Sequence, residues 1–299
     1  MADGWQTLYP WESRRFDRGG GIRMHYIDQG RGDPVLMVHG NPTWSFHYRD
    51  LAKTLVGAGH RVIVPDHIGM GLSDKPSDSR YNYTLQSRVD DLERLTGILD
   101  IKTPVTLVVH DWGGPIGLCW ALRDLARIKA MVVLNTAGSL PPEGFRLPWQ
   151  LGASRSALGP LLVQGFDMFM DGFLKRGVVR PLSPVVAQGY RAPFRSWSDR
   201  RAIMRFIQDI PRGPGDKAYN LMQWLGNNLP NFSGVPTLIG WGMRDFVFDK
   251  RFLEQWKLRL PQAVVREFPN AGHLLLEDSG FEVLPMIREF AKKHAVQRL

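Results

Sequence analysis

The sequence predicts an α/β protein: a mostly parallel sheet flanked by helices, interrupted once by a helical insertion. Three observations predict it. Short β-branched apolar runs alternate with helix-period segments through residues 1–138, and the same alternation resumes over 233–299. Between them, residues 139–232 lack convincing strands and are rich in Met, Phe, Gly, Pro and Arg. The expected organisation is therefore one core made of 1–138 and 233–299, with 139–232 as a helical cap over the C-terminal ends of the strands, where open α/β sheets bind their ligands.

The first five strands are expected at "IRMHYID" (22–28), "PVLMVHG" (34–40), "RVIVPD" (61–66), "VTLVVH" (105–110) and "IKAMVVLN" (128–135). Helices are expected between them near 46–57, 84–99 and 112–124. After the insertion come a strand "VPTLIGWG" (235–242), a helix near 249–260, a strand "AVVREFP" (263–269) and a last helix near 280–295. No internal repeat and no low-complexity tail interrupts this order.

Composition excludes several classes. With 299 residues, 43% hydrophobic and 22% charged, the chain has the balance of an ordinary soluble globular protein. The N-terminal residues hold no apolar signal-like stretch and no later segment is a long uninterrupted apolar run, so the expectation is a cytoplasmic protein without signal peptide or membrane span. The single cysteine, Cys119, lies among Leu118, Trp120 and Leu122 and reads as an inert core thiol. A net charge of +9 raises the question of nucleic acid, but no nucleic-acid motif accompanies it. The excess is also uneven, since residues 139–232 hold 12 Lys and Arg against 6 Asp and Glu. This marks the insertion as a distinct unit.

Chemistry enters at "VTLVVHDWGGPIGLCWAL", Val105 to Leu122, where a buried strand turns into a helix and Asp111 stands on the turn. In many hydrolases that turn is the strained elbow of G-x-S-x-G, which exposes a nucleophilic serine; here the five residues are V-H-D-W-G. The nucleophile is then a carboxylate. An elbow nucleophile in this topology is followed by an acid and then a histidine. "WGMRDFVFD" places Asp245 just beyond one late strand, and "FPNAGHLLLED" places His273 just beyond the next. The blander reading of His273 is a capping residue of the last helix. Asp249 reads as a helix N-cap, while Glu277 and Asp278 stay open as alternative acids. His25, His39, His47, His60, His67, His110 and His294 read as structural or surface residues.

A carboxylate displaces a leaving group from an sp³ carbon and is left as an alkyl ester. Water activated by His273 would hydrolyse that ester, with Asp245 stabilising the imidazolium. The loop "HGNPTWSF" supplies one backbone N–H of an oxyanion site and Trp112 the other. The Asn41 amide and the Trp112 indole N–H would then hold a departing halide. Turn formation by Asn41 and packing by Trp112 are the plainer alternatives.

The segments "HGNPTWSF", "DHIGMGLSDKP", "VVHDWGGPIG", "WGMRD" and "NAGH" closely resemble the haloalkane dehalogenases of the α/β-hydrolase fold, over nearly the whole core. The resemblance implies Asp111 as nucleophile, His273 as base, Asp245 as acid, and Asn41 with Trp112 as the halide-binding pair. It implies a small halogenated hydrocarbon and water as substrates, a primary or secondary alcohol, halide and a proton as products, a covalent alkyl-aspartate intermediate, and no cofactor, metal, nucleic acid or membrane. Members place the acid after one of two strands. Here "VLNTAG" carries Asn135 and no carboxylate after the earlier one, which points to Asp245. The resemblance is to a subfamily with some large oligomers, so a homo-oligomer is in view. The rival activity is an epoxide hydrolase with the same Asp nucleophile, whose alkoxide leaving group would need proton donors such as Tyr190 and Tyr219 of the insertion. A binding protein without catalysis would be expected to have lost a catalytic group, yet all are present.

Overall fold

The computed structural model describes residues 4–165 and 168–296. One eight-stranded sheet runs through it: β1 (Arg14–Asp17), β2 (Arg23–Gln29), β3 (Pro34–Val38), β4 (Arg61–Pro65), β5 (Val105–His110), β6 (Ile128–Leu134), β7 (Thr237–Gly242) and β8 (Val264–Phe268), in spatial order β1-β2-β4-β3-β5-β6-β7-β8. From β4 to β8 every pairing is parallel, and β2 is antiparallel to both β1 and β4. β3 and β5 are buried at every residue, which requires cover on both faces of the sheet. That cover comes from α1 (Arg49–Gly57), α2 (Leu85–Ile98), α3 (Gly113–Ala121) and, after the insertion, α9 (Lys250–Arg259), α10 (Leu275–Asp278) and α11 (Gly280–Lys293). α1 packs against α11, and α2 against α3.

The insertion between β6 and β7 contains α4 (Trp149–Ser154), α5 (Met168–Arg176), α6 (Pro184–Arg191), α7 (Arg201–Gln208) and α8 (Tyr219–Asn228), and no strand among the described residues. α7 is amphipathic: Ala202, Ile203, Met204, Phe206 and Ile207 turn inward while Arg201 and Arg205 stay at the surface. Side-chain caps set several helix starts. Thr84 accepts the Ser87 N–H, Ser183 that of Val186, and Asp249 that of Arg251, so Asp249 is the N-cap the sequence suggests.

Two elements depart from the sequence reading. β1 escapes the strand patterns because "RRFD" is a short, largely exposed edge strand without an apolar run; its charges discourage pairing with another chain. The strand expected over 34–40 stops at Val38, because the imidazole of His39 donates from Nδ1 to the Gly40 carbonyl at 2.8 Å and the chain turns there. Cys119 lies buried in α3, its thiol pushed up to about 12 by that burial. Among the described residues no helix is long and apolar enough to cross a membrane.

Candidate active site

β5 delivers Asp111 to the sheet edge in a left-handed conformation, φ 50°, which costs a non-glycine residue energy and persists only where the surroundings fix it. The end of β6 does the fixing. The Asp111 N–H donates to the Asn135 carbonyl at 3.1 Å, and the Asp111 carbonyl accepts from the Gly114 N–H at 3.0 Å and from the Thr136 hydroxyl. Close packing demands glycine on either side: a Cβ on Gly40 would lie 2.1 Å from the Asp111 Oδ1, and one on Gly113 would lie 1.9 Å from the Val38 carbonyl oxygen.

The Asp111 carboxylate accepts the backbone N–H of Asn41 at 2.6 Å and that of Trp112. Burial pushes its carboxyl up to about 6, against the opposing pull of His273 and those two N–H groups. The group is thus still largely ionised at neutral pH. The Asn41 loop is anchored by Asp66, whose buried carboxylate takes the Ser45 N–H at 2.7 Å, the Leu72 N–H at 2.9 Å and the His25 Nδ1 at 2.8 Å. Burial alone would raise the Asp66 carboxyl, but these partners, His25 first, hold it down at about 2.

His273 is fully buried, with Nδ1 2.8 Å from the Asp245 Oδ2 and Nε2 3.7 Å from the Asp111 Oδ2. The Asp245 carboxylate only accepts, so Nδ1 carries the proton and Nε2, which has no hydrogen-bond partner, faces Asp111. Burial disfavours the imidazolium, yet Asp245 and then Asp111 outweigh it and raise the histidine above its ordinary value. Asp245 is itself oriented: its Oδ1 accepts the Val247 and Phe248 N–H groups at 2.7 and 3.0 Å, and its Oδ2 accepts the Asn135 amide at 2.9 Å. The Asn135 Oδ1 in turn accepts the Gly242 N–H at 2.8 Å.

Asn135 is the orienting residue that sequence reasoning treats only as a missing carboxylate. Its φ of 31° at a strand end is the kind of position Asn tolerates, and that is the available signal. His110, structural by its sequence context, supports the site from behind. It donates from Nε2 to the His273 carbonyl at 2.9 Å, with the two rings 4.6 Å apart.

The competing candidates go elsewhere. Glu277 accepts Arg49 in a two-pronged ion pair at 2.6 and 2.8 Å and the Tyr190 hydroxyl at 2.6 Å. Asp278 accepts the backbone N–H groups of Val179, Arg180 and Gly272. Of the carboxylates weighed as the acid, Asp245 is the one that meets His273. The tyrosines considered as proton donors to an alkoxide do not line the pocket at Asp111: Tyr190 is buried and committed to Glu277, and Tyr219 lines an adjoining cavity.

Asp111, Asn41 and Trp112 open into a pocket of about 80 Å³, walled chiefly by Phe145, Phe169, Phe173, Ile207, Met222 and Phe246. Among the described residues, Asp111 is the sole charged one in its lining. The Asn41 amide reaches the Ile203 carbonyl of α7 only at 3.5 Å, and the Trp112 ring is tilted against Phe206 at 5.6 Å. The arrangement presents the Asp111 carboxylate and neutral hydrogen-bond donors to an apolar pocket. Among the described residues no group of three or more His, Cys, Asp and Glu is placed to hold a metal ion.

A family model described as the alpha/beta hydrolase fold matches residues 33–279. The chain belongs to this α/β-hydrolase family. Within it, a cis-3-alkyl-4-alkyloxetan-2-one decarboxylase of Shewanella oneidensis is 50% identical over 286 residues, covering 95% of this chain and 89% of that protein. A haloalkane dehalogenase of Mycobacterium tuberculosis is 34% identical over 289 residues, covering 94% of this chain and 96% of that protein. The crystal structure of a haloalkane dehalogenase from Agrobacterium tumefaciens superposes with a TM-score of 0.85 at 24% identity, covering 95% of this chain and 97% of that one. This chain is therefore a haloalkane dehalogenase-like α/β hydrolase.

Proposed function

We propose that this α/β hydrolase decarboxylates cis-3,4-dialkyl oxetan-2-ones, four-membered cyclic esters, to cis-alkenes and carbon dioxide. The observation that carries this reading is the 50% identity to the oxetanone decarboxylase over 95% of the chain, against 34% to the dehalogenase. The pocket suits the chemistry. An Asp111 oxygen attacks ring carbon C4, the C4–O bond breaks, and the ring oxygen leaves as part of a carboxylate, which the Asn41 amide and Trp112 indole N–H groups receive. The product is an alkyl ester of Asp111 bearing the carboxylate on the neighbouring carbon.

That ester needs no water. The C3–carboxylate bond breaks, its electron pair forms the C3–C4 double bond, the C4–O bond to Asp111 breaks, and carbon dioxide, alkene and free Asp111 result. Inversion at C4 followed by anti departure returns a cis-alkene from a cis-lactone. A carboxylate in an apolar pocket with no cation among its described lining residues is less stabilised than in water, which favours loss of carbon dioxide.

One observation favours the hydrolytic dehalogenation that the sequence resemblance implies. The His273 Nε2 is unpartnered and faces Asp111, as a base for a water would be, and the fragmentation gives it no proton to take. The two readings share nucleophile and anion site and differ in the fate of the Asp111 ester. Incubation with a cis-3,4-dialkyl oxetan-2-one and, separately, with a 1-bromoalkane separates them. Stoichiometric alkene and carbon dioxide from the first, with little bromide from the second, is the expected result. Bromide and alcohol without alkene would return the chain to dehalogenation.

Either leaving group departs as an anion, so the donor pair is tested independently. Asn41→Ala is expected to lower turnover roughly 10²-fold while leaving the melting curve near wild type, and Trp112→Phe to act alike by removing only the N–H. An effect below about threefold would assign Asn41 to turn formation alone.

A further inference from the structure

Two cavities adjoin the Asp111 pocket on different walls. One, of about 140 Å³ against α4 and α5, shares Leu151, Phe169, Phe173 and Phe246 with it. The other, of about 420 Å³, shares Pro141, Phe145, Leu147, Ile210 and Pro211. The two side cavities have no described lining residue in common. Each is divided from the reacting centre by side chains that both spaces touch.

Resting on the decarboxylase reading, we propose that the two alkyl arms of the lactone are sorted into these two side chambers, and that the α5 chamber sets the length limit of one arm. A cis-dialkyl lactone carries its arms on adjacent carbons, so seating C4 at Asp111 leaves two chains to be housed at once. A single pocket with a single exit would force them together. The α5 chamber is suited to hydrocarbon: its lining is apolar apart from Ser154 and Arg176, and the Arg176 guanidinium lies 5.3 Å over the Phe246 ring. At its rim Trp149 and Met168 stand 76% and 57% exposed, so the chamber reaches the surface through apolar side chains. The partition at Phe169 is half-buried and stacked on Phe173 at 6.4 Å. A change of the Phe169 rotamer would join the two spaces.

Gly172 offers a way to fill this chamber. It lines the cavity from the middle of α5, its φ is not positive, and a Cβ placed on it meets nothing within 4 Å. Replacing a mid-helix glycine also improves helix propensity, so Gly172→Phe is expected to fold. Each methylene that leaves water strengthens binding about fourfold, so chamber length is readable as a series.

The test uses lactones in which the C3 and C4 arms are lengthened separately. In the wild type kcat/KM should rise with each arm, about fourfold per methylene until its chamber ends. In Gly172→Phe the rise for one arm should stop early, lowering its long-to-short ratio at least about tenfold, while the other arm keeps the wild-type series. Unchanged series for both arms, or equal loss for both, would overturn the assignment.

A parallel measurement stands apart from the decarboxylase reading: binding of symmetrical dialkyl carbinols, whose two chains must occupy both chambers at once, with both chains lengthened together, followed by tryptophan fluorescence. If the wild type acts on no lactone, the decarboxylase reading fails. The carbinol series still decides the chamber, because a series cut short only in Gly172→Phe supports it and identical series overturn it.

Discussion

Asp111→Asn is expected to abolish turnover, by roughly 10⁴-fold or more on lactone or haloalkane alike, because an amide cannot displace the leaving group. The same variant should be more stable than the wild type. The folded-state carboxyl sits at about 6, above its ordinary 3.8, because burial penalises its charge. A carboxyl raised on folding costs stability once pH passes its unfolded value, and the cost is complete above the folded value. The gain from Asn should therefore be largest near pH 8 and fade toward pH 4. Its upper limit is about 3 kcal/mol from the size of the shift. Asn also tolerates the left-handed backbone found at this position. Thermal melts of both proteins across that pH range check the sign. A variant less stable than wild type at pH 8 would mean that the backbone N–H groups of Asn41 and Trp112 fully compensate the buried charge.

His273→Phe separates the two chemistries. Phenylalanine suits the site sterically, since the imidazole already stacks on Phe248 with ring centroids 5.7 Å apart and 22° between planes. Asp245 keeps its hydrogen bonds from Val247, Phe248 and Asn135, so the loss of the histidine does not leave that buried carboxylate bare.

Hydrolysis of an alkyl-Asp111 ester needs a base. With a bromoalkane the variant should release about one bromide per site and stop, leaving an adduct on Asp111 detectable by peptide mass spectrometry. Fragmentation of a lactone-derived ester needs none, so alkene formation should persist. It should be slowed at neutral pH, because His273 pulls the Asp111 carboxyl down and its removal lets that carboxyl rise. A higher Asp111 value means less nucleophile at pH 7 and recovery as pH rises. Alkene formation that falls roughly 10³-fold at every pH would show that the histidine takes part in the chemistry and would sink the water-free step.

Much of the site is legible in the sequence because its signals are local. The β-branched run ending in His110, followed at once by Asp111, Trp112 and two glycines, marks a strand-to-helix elbow within ten residues, and the structure places β5 and α3 there. Asp245 and His273 stand out as residues just past two predicted strands, since a parallel sheet brings all such ends to one edge. The substrate is harder to read. Halide and carboxylate both depart as anions toward neutral donors, so Asn41 and Trp112 suit either, and the motifs carry no mark that separates them.

The sequence by itself determined the alternation of strands and helices, the helical interruption between β6 and β7, and the order Asp111, Asp245, His273, because periodicity, turn chemistry and chain order act over short spans or none. Only the tertiary structure decided which carboxylate meets the histidine. Four acids follow the ends of β7 and β8, and what separates them is the 2.8 Å contact of Asp245, the N-cap role of Asp249, and the commitment of Glu277 to Arg49 and Asp278 to backbone N–H groups. The same holds for Asn135 at Asp245, Asp66 beneath the Asn41 loop, and the chambers around Phe169. Each joins segments far apart in the chain, and such a contact is set by how whole layers pack, a property that no local stretch of residues encodes.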